Sequence, residues 1–448
     1  MRKIMIFAAF AALLSLSSCS KVEPKSSAAE PASVSGSPVF TAGINPGTKT
    51  TVEAQYGTVS WEMTDEITIT DAAKQSAVYG ISKIDESTGY ATFEYKEGAT
   101  LGSGPYSAVY GEEPETSQEY SATPGKLYME APETETTSLT FTVQCALMEI
   151  NLTKAGESVK SIAVTGTPTK KGEETTYTLT CTEPVSIAEK KSFYIALPEG
   201  TYTSILITDS KENVCNLTVK AKGIPVIANQ IIPATFSAGD LDFIAVPEAV
   251  DLGLPSGLKW ASFNLGATKP EEYGGYYQWA GLQDVTSTSI KLDWDNCPYH
   301  TGSSFDTDWT KYTSDKASYS DIGNPDGKTA LESGDDVAHV KLGDSWRMPT
   351  EDEFQELIDN CNPEWTTYEG VNGYKFTSRK NSNSIFLPAA GSRYYDRLYS
   401  GGSCGYYWSS SLYTDDPCSA YSMGFFSEDV SMSFDNRFSG FSVRPVSE

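Results

Sequence analysis

The chain has 448 residues and a formal net charge of −26, with 59 acidic side chains against 33 basic ones. That length leaves room for two or three domains, and that charge argues against nucleic acid or an anionic membrane surface as a partner. Arg is absent from Lys3 through Trp346 and then occurs six times, and Trp61 is the sole Trp before Trp260, after which six more follow. The two parts differ in kind, with a boundary near residue 240.

Residues 1–18 read as a secretory leader. Arg2 and Lys3 form a basic start, and the apolar run 4–16 is too short to span a bilayer as a helix. The leader closes on Leu16-Ser17-Ser18-Cys19, which resembles a bacterial lipobox. The resemblance implies a diacylated Cys19 as the first mature residue, and several acyl chains give stable anchoring. An ordinary signal peptide ending in Cys is the competing reading. Residues 19–37, rich in Ser, Ala, Pro and Glu and without an aromatic side chain, cannot bury enough to fold and read as a tether.

Residues 38–240 read as β throughout. Runs at 66–69, 91–95, 106–110 and 139–143 alternate with a period of two and are rich in Thr, Val and Tyr. A second set follows at 148–152, 159–164, 177–180, 192–197, 204–208 and 214–219. Strands at this spacing without helical stretches suggest two β-sandwiches, 38–145 and 146–240. The order Thr48-Lys49-Thr50, Val59-Ser60-Trp61-Glu62-Met63-Thr64-Asp65-Glu66-Ile67, Ala91-Thr92-Phe93 and Tyr106-Ser107-Ala108-Val109-Tyr110, followed by 141–152, resembles the fimbrillin family of Bacteroidales lipoproteins. The resemblance implies a cell-surface protein at the outer membrane and, for the pilins among the family, donor-strand assembly with other pilus subunits. Pilin maturation in that system often uses an Arg-specific protease. No Arg lies in the arm here, and Lys49 is the alternative cut. A retained anchor, a tip or a stand-alone stalk is therefore expected over a polymerising subunit.

Residues 241–448 differ in character from what precedes them. Gly and aromatic residues are dense at 272–280, and 286–328 is polar with little periodicity, read as long loops pinned by Trp294, Trp309 and Tyr312. One helix is well signalled. Thr350 is its N-cap, Glu353 completes a capping box, and Phe354, Leu357, Ile358 and Cys361 form an apolar face. Strands are expected at 373–377, 384–387, 406–410, 419–425, 430–434 and 440–444. The fold class is thus mainly β with an α+β C-terminal domain. The phrases at 250–261, 346–350, 386–391, 407–411 and 440–446 (VDLGLPSGLKWA, WRMPT, FLPAAG, YWSSS, GFSVRPV) are similar to the Fibrobacter major paralogous domain over 249–446, which implies a fold of the C-type-lectin and formylglycine-generating-enzyme type. The same fold carries hypervariable binding proteins of diversity-generating retroelements, whose variable segment lies near the C-terminus and favours Asn, Tyr, Asp and Ser. Residues 391–438 have that composition.

Within that segment the candidate ligand-binding residues are Tyr394, Tyr395, Asp396, Tyr399, Tyr406, Tyr413 and Asp415. Tyr offers contact area at low entropy cost, as in antibody paratopes. The competing reading is a strand-and-loop region where tyrosines line sheet faces, and alternation turns about half of them inward. Trp408 reads as core, and Arg347 and Arg444 as structural residues paired with carboxylates. Cys404 and Cys418 are a candidate disulfide. Seven cysteines remain once Cys19 is lipidated, so not all pair within the chain. The formylglycine-generating resemblance raises catalysis by this same pair, but the acidic neighbours Asp415 and Asp416 oppose a thiolate, so no enzyme activity is expected. Asp321, Asn324, Asp326, Asp335 and Asp336 are weighed as calcium ligands and read as solvated turn residues. No metal or cofactor is expected. The function read from sequence is a lipid-anchored adhesin whose C-terminal head binds a protein or glycan, with a pilus anchor or tip as the alternative.

Overall fold

The structure, a computed structural model, describes residues 37–44, 61–121, 128–218, 223–228, 230–286, 291–301, 309–313, 326–343, 345–416 and 418–448. The leader, Cys19, nearly all of the tether, Thr48-Lys49-Thr50, Asp321 and Asn324 lie outside the described residues. The protein is mainly β, and among the described residues its short helices all lie in the C-terminal part. It divides into two compact units: residues 1–204 with 221–241, and residues 205–220 with 242–448. The excursion 205–220 belongs with the C-terminal unit, a refinement of a single boundary near 240. Val214 accounts for it, because its side chain packs in one apolar cluster with Ala261, Trp279 and Val337.

In the first unit the strands expected over 38–145 pair as a closed ring. Strands Phe40–Ile44, Tyr90–Gly98, Ser76–Asp85, Glu66–Thr70, Tyr106–Tyr110, Met129–Thr134 and Ser138–Val143 pair in that order, and the ring closes. Closure comes from Phe40–Ile44, which pairs antiparallel with Tyr90–Gly98 on one side and parallel with Ser138–Val143 on the other. Alternation along each strand turns one face inward, as at Leu139, Phe141 and Val143. Trp61 sits in this core with its ring edge-on to Phe93, Tyr110 and Phe141 at 5.1–5.5 Å. Its indole N–H donates to the Ala42 carbonyl at 3.2 Å.

The rest of the first unit holds two further sheets. In one, Cys145–Leu152 is central and buried along its whole length, between Lys191–Pro198 and Ile231–Phe236. The other contains Ser158–Pro168 and Thr175–Ser186. Ser117–Glu119 joins it in parallel with Thr175–Ser186, so a short strand from before residue 145 belongs to the second sheet.

Among the described residues the C-terminal unit distributes its strands over four small sheets. Ala249–Asp251, Lys259–Ala261, Val446–Ser447 and Trp346–Arg347 form the first. Cys361–Tyr368, Val371–Ser378 and Ser384–Pro388 form the second. Ser392–Tyr394 and Arg397–Tyr399 make a hairpin, and Cys404–Leu412, Ser419–Phe426 and Asp429–Asn436 make a meander. The expected strand at 440–444 is a buried extended segment held by isolated bridges, Phe441 to Tyr277 and Ser442 to Tyr407.

The signalled helix is Glu351–Asn360. Thr350 Oγ1 accepts from the Glu353 N–H at 3.2 Å, and Glu353 Oε2 accepts from the Thr350 N–H at 2.8 Å. Phe354, Leu357 and Cys361 are fully buried with Trp260, Tyr407 and Met423. A shorter helix, Val337–Leu342, carries no periodic signal of its own and is started by Asp336, which accepts from the Ala338 and His339 N–H groups.

Candidate functional site

The chain reverses direction at Gly391, whose φ of +69° lies in the region that favours glycine; a Cβ there would meet the Tyr399 carbonyl oxygen at 2.2 Å. The hairpin that follows is fixed at its base. The Arg393 N–H donates to the Gly440 carbonyl at 2.8 Å and the Gly440 N–H returns to Arg393 at 2.9 Å. The Arg393 guanidinium is buried, and the Leu292 N–H donates to the Tyr395 carbonyl at 3.1 Å. Tyr394 rests edge-on against Tyr395 and tilted on Phe438, at 4.8 and 4.9 Å.

On this base stand Tyr395, Leu398 and Tyr399, 43, 44 and 46% exposed. Tyr395 has φ of +53°, a backbone state uncommon for a bulky residue and found disproportionately at binding sites. Asp396 and Arg397 flank the turn with a loose ion pair of 3.6 Å. Lys291 comes from a distant part of the chain. Its ammonium lies 5.4 Å from the centre of the Tyr395 ring and 2.6 Å from Asp293. That bond to Asp293 raises the Lys291 pKa, and burial raises that of Tyr394. The hairpin thus offers a held aromatic surface with charges of both signs at its rim.

Of the residues singled out in the sequence, the hairpin unites Tyr394, Tyr395, Asp396 and Tyr399. Tyr406 is half-buried and stacks on Phe441, which itself stacks on the fully buried Trp408. Tyr413 belongs to a different cluster, stacked on Phe434 at 4.0 Å, and Asp415 is exposed near it. Sequence reasoning missed Leu398 and Lys291. Leu398 follows from the two-residue turn once the register Arg393 to Leu398 is known, whereas nothing local marks Lys291.

The disulfide expectation is corrected. Cys404 and Cys418 are both free. Cys404 pairs with Phe426, while Cys418 immediately precedes the opposite end of that same strand, at Ser419. At about 3.3 Å per residue the strand separates them by roughly 20 Å, far beyond the Cα limit of ~7 Å for a bridge. Burial and neighbouring Asp416 push the Cys418 thiol up to about 12, so it stays neutral.

Arg347 pairs with Glu353 through two bonds of 2.6 and 2.7 Å. Arg444 corrects the expectation of a carboxylate partner. It is fully buried and donates to the Asn264 side chain and the Ala261 and Phe386 carbonyls at 2.8–2.9 Å. Desolvation lowers its pKa to about 10. Three of the weighed calcium ligands have protein partners. Asp326 accepts from the Tyr312, Thr313 and Lys328 N–H groups. Asp335 takes Lys311, Tyr299 and Tyr312, and Asp336 holds the helix start and the Met348 N–H. Among the described residues no cluster suits a metal ion.

Residues 283–447 match the family model of the Lcl C-terminal domain, so the match spans the hairpin and begins inside the C-terminal unit. No curated protein matches the chain in sequence. Among solved structures, a candidate cell adhesion protein from Bacteroides ovatus aligns with 46% of this chain and 94% of its own, at 12% identity and a TM-score of 0.28. A tip fimbrial protein from Porphyromonas gingivalis aligns with 43% of this chain and 92% of its own, at 8% identity and 0.20. A second candidate adhesin from Bacteroides ovatus aligns with 47 and 94%, at 7% identity and 0.21. Similarities this weak do not by themselves establish a shared fold.

Proposed function

We propose that the protein is a cell-surface adhesin, lipid-anchored at the outer membrane through Cys19, whose C-terminal unit binds an extracellular protein or glycan through the hairpin Ser392–Tyr399. The observation that carries this reading is the exposure of Tyr395, Leu398 and Tyr399 on a hairpin whose base is fixed by Gly391, Arg393 and Leu292. An exposed apolar group on so small an element is stable in water only at a cost, and aromatic anchors on a rigid base are what binding surfaces use. The lipobox-like leader supports the location. The action is contact rather than catalysis: the surface presents area and hydrogen-bonding phenols without a nucleophile.

The test is binding of the mature full-length chain to arrays of extracellular-matrix proteins and glycans, beside the double variant Tyr395→Ala/Tyr399→Ala. The expected result is at least one ligand whose binding falls about tenfold or more in the variant, with the circular dichroism spectrum unchanged. Ligands bound equally by both chains would sink the hairpin as the site. Mass analysis of the mature N-terminus tests the anchor: a diacylated Cys19 is expected, and cleavage near Lys49 would favour a pilus subunit instead.

A further inference from the structure

The meander of the C-terminal unit ends on an open edge. Asp429–Asn436 pairs with Ser419–Phe426 on one side, and among the described residues no strand pairs with its other side. Edges of this kind are usually blunted by Lys, Pro or a bulge. This strand reads Asp-Val-Ser-Met-Ser-Phe-Asp-Asn, without Lys, Arg or Pro, and its register runs unbroken from Ser419 opposite Asn436 to Phe426 opposite Asp429. It is eight residues long, and Val430 and Met432 turn toward the helix Glu351–Asn360 on one face of the sheet.

An aromatic shelf runs beside that edge. Phe434, on the strand itself, is 48% exposed. Tyr413 lies flat on it, with ring centres 4.0 Å apart and planes within 3°. Tyr421 stands opposite Phe434 in the register and meets Tyr413 edge-on at 5.3 Å. The surrounding charge has one sign. Glu428, Asp429 and Asp435 belong to the edge strand and its turn, Asp415 borders the shelf, and Glu351 and Asp352 start the neighbouring helix. None of these six carboxylates makes an ion pair among the described residues.

We propose that this edge accepts an extended, lysine- or arginine-bearing segment of a partner protein, added as a fourth strand that covers Tyr413 and Phe434. Main-chain pairing at an open edge supplies affinity, and the side chains alongside supply selectivity. The shelf is suited to the aliphatic stems and charged heads of basic side chains, which pack on aromatic faces. A second copy of this chain is the wrong occupant. Pairing two such edges would bring together two strands that each carry Asp429 and Asp435, and like charges facing across a ladder destabilise it. The net charge of −26 adds repulsion between copies at long range. This surface is independent of the hairpin, so either reading can fail without the other.

The experiment is isothermal titration of the full-length mature chain with a short peptide alternating lysine with valine. Two control peptides accompany it: one with glutamate for lysine, and one N-methylated along its backbone. The lysine peptide is expected to bind, about tenfold more weakly at high salt than at low. Phe434→Ser and Tyr413→Ser should each weaken it about tenfold, Tyr368→Ser should leave it unchanged, and both control peptides should fail. The N-methylated peptide tests strand addition without altering the protein, so no folding defect clouds that result. The proposal is overturned if the lysine peptide does not bind, if the N-methylated peptide binds as well, if Phe434→Ser has no effect, or if sedimentation shows a dimer that Phe434→Ser dissolves.

Discussion

The barrel around Trp61 and the core of the C-terminal unit bury their interiors by different means. The barrel pairs its backbone through a closed ring of strands; its buried Asp65 and Asp71 accept from the Tyr110 hydroxyl and from the Gln75 and Gly102 N–H groups, and Trp61 needs one carbonyl partner. The C-terminal unit buries an irregular segment, Arg437 through Pro445, and irregular backbone brings polar groups that no ladder pairs. Two arginines of that segment are buried. Arg444 ties it to two strands, donating to the Ala261 and Phe386 carbonyls and to Asn264, and Arg437 lies 4.0 Å from the centre of the Trp309 ring and 4.8 Å from that of Trp279. The comparison teaches that the ring of strands buries small carboxylates that accept from nearby donors, whereas the loop-built segment buries whole guanidinium groups that reach distant parts of its unit.

The comparison breaks most visibly at Arg444. Arg444→Ala removes a fully buried guanidinium and leaves its acceptors unpaired, a loss of about 4 kcal/mol. Hydrogen exchange should show it as lost protection confined to peptides of the C-terminal unit; equal loss in the barrel peptides would contradict the separation. Arg444→Lys should recover little, because an ammonium cannot reproduce the planar fork. In the barrel, Trp61→Leu should cost about 3 kcal/mol through lost packing and the lost bond to the Ala42 carbonyl, with the exchange pattern reversed. Thr350→Ala opens the capping box and should cost about 1 kcal/mol, read from the thermal midpoint. The smallest effect on stability, under about 0.5 kcal/mol, belongs to Tyr395→Ala/Tyr399→Ala, since both rings are exposed.

Thiol chemistry sharpens the same contrast between covered and open parts. At pH 8, alkylation of the native chain should modify Cys404, which is half-exposed, ahead of the other six described cysteines, all buried. Burial raises Cys297 and Cys418 to about 12, so both should react only after unfolding. Rapid labelling of Cys418 in the native chain would show its surroundings to be open.

Much of the chain was legible residue by residue. The strands at 106–110 and 139–143 follow from a period of two, and the helix after Thr350 from a cap and an apolar stripe that local spacing displays. The helix Val337–Leu342 was not legible, because six residues are too few for a period and its cap, Asp336, looks like any turn carboxylate. The tyrosines divide in the same way. Composition marks the segment 391–438 as rich in them, but not which ones face out. Tyr407 is fully buried beneath the helix Glu351–Asn360, and Tyr406, its neighbour, is half-covered by Phe441.

The sequence by itself determined the local elements: the alternating strands, the capped helix and the aromatic wealth of the C-terminal segment, all of which depend on neighbours a few residues away. The tertiary structure alone decided that the first strands close into a barrel and that Cys404 and Cys418 stand at opposite ends of a strand. It also decided that Arg444 answers carbonyls rather than a carboxylate, and that Tyr395 and Tyr399 stand exposed beside Lys291. Each of these depends on which distant segment covers a side chain, and burial is a property of the whole packing rather than of any stretch of chain.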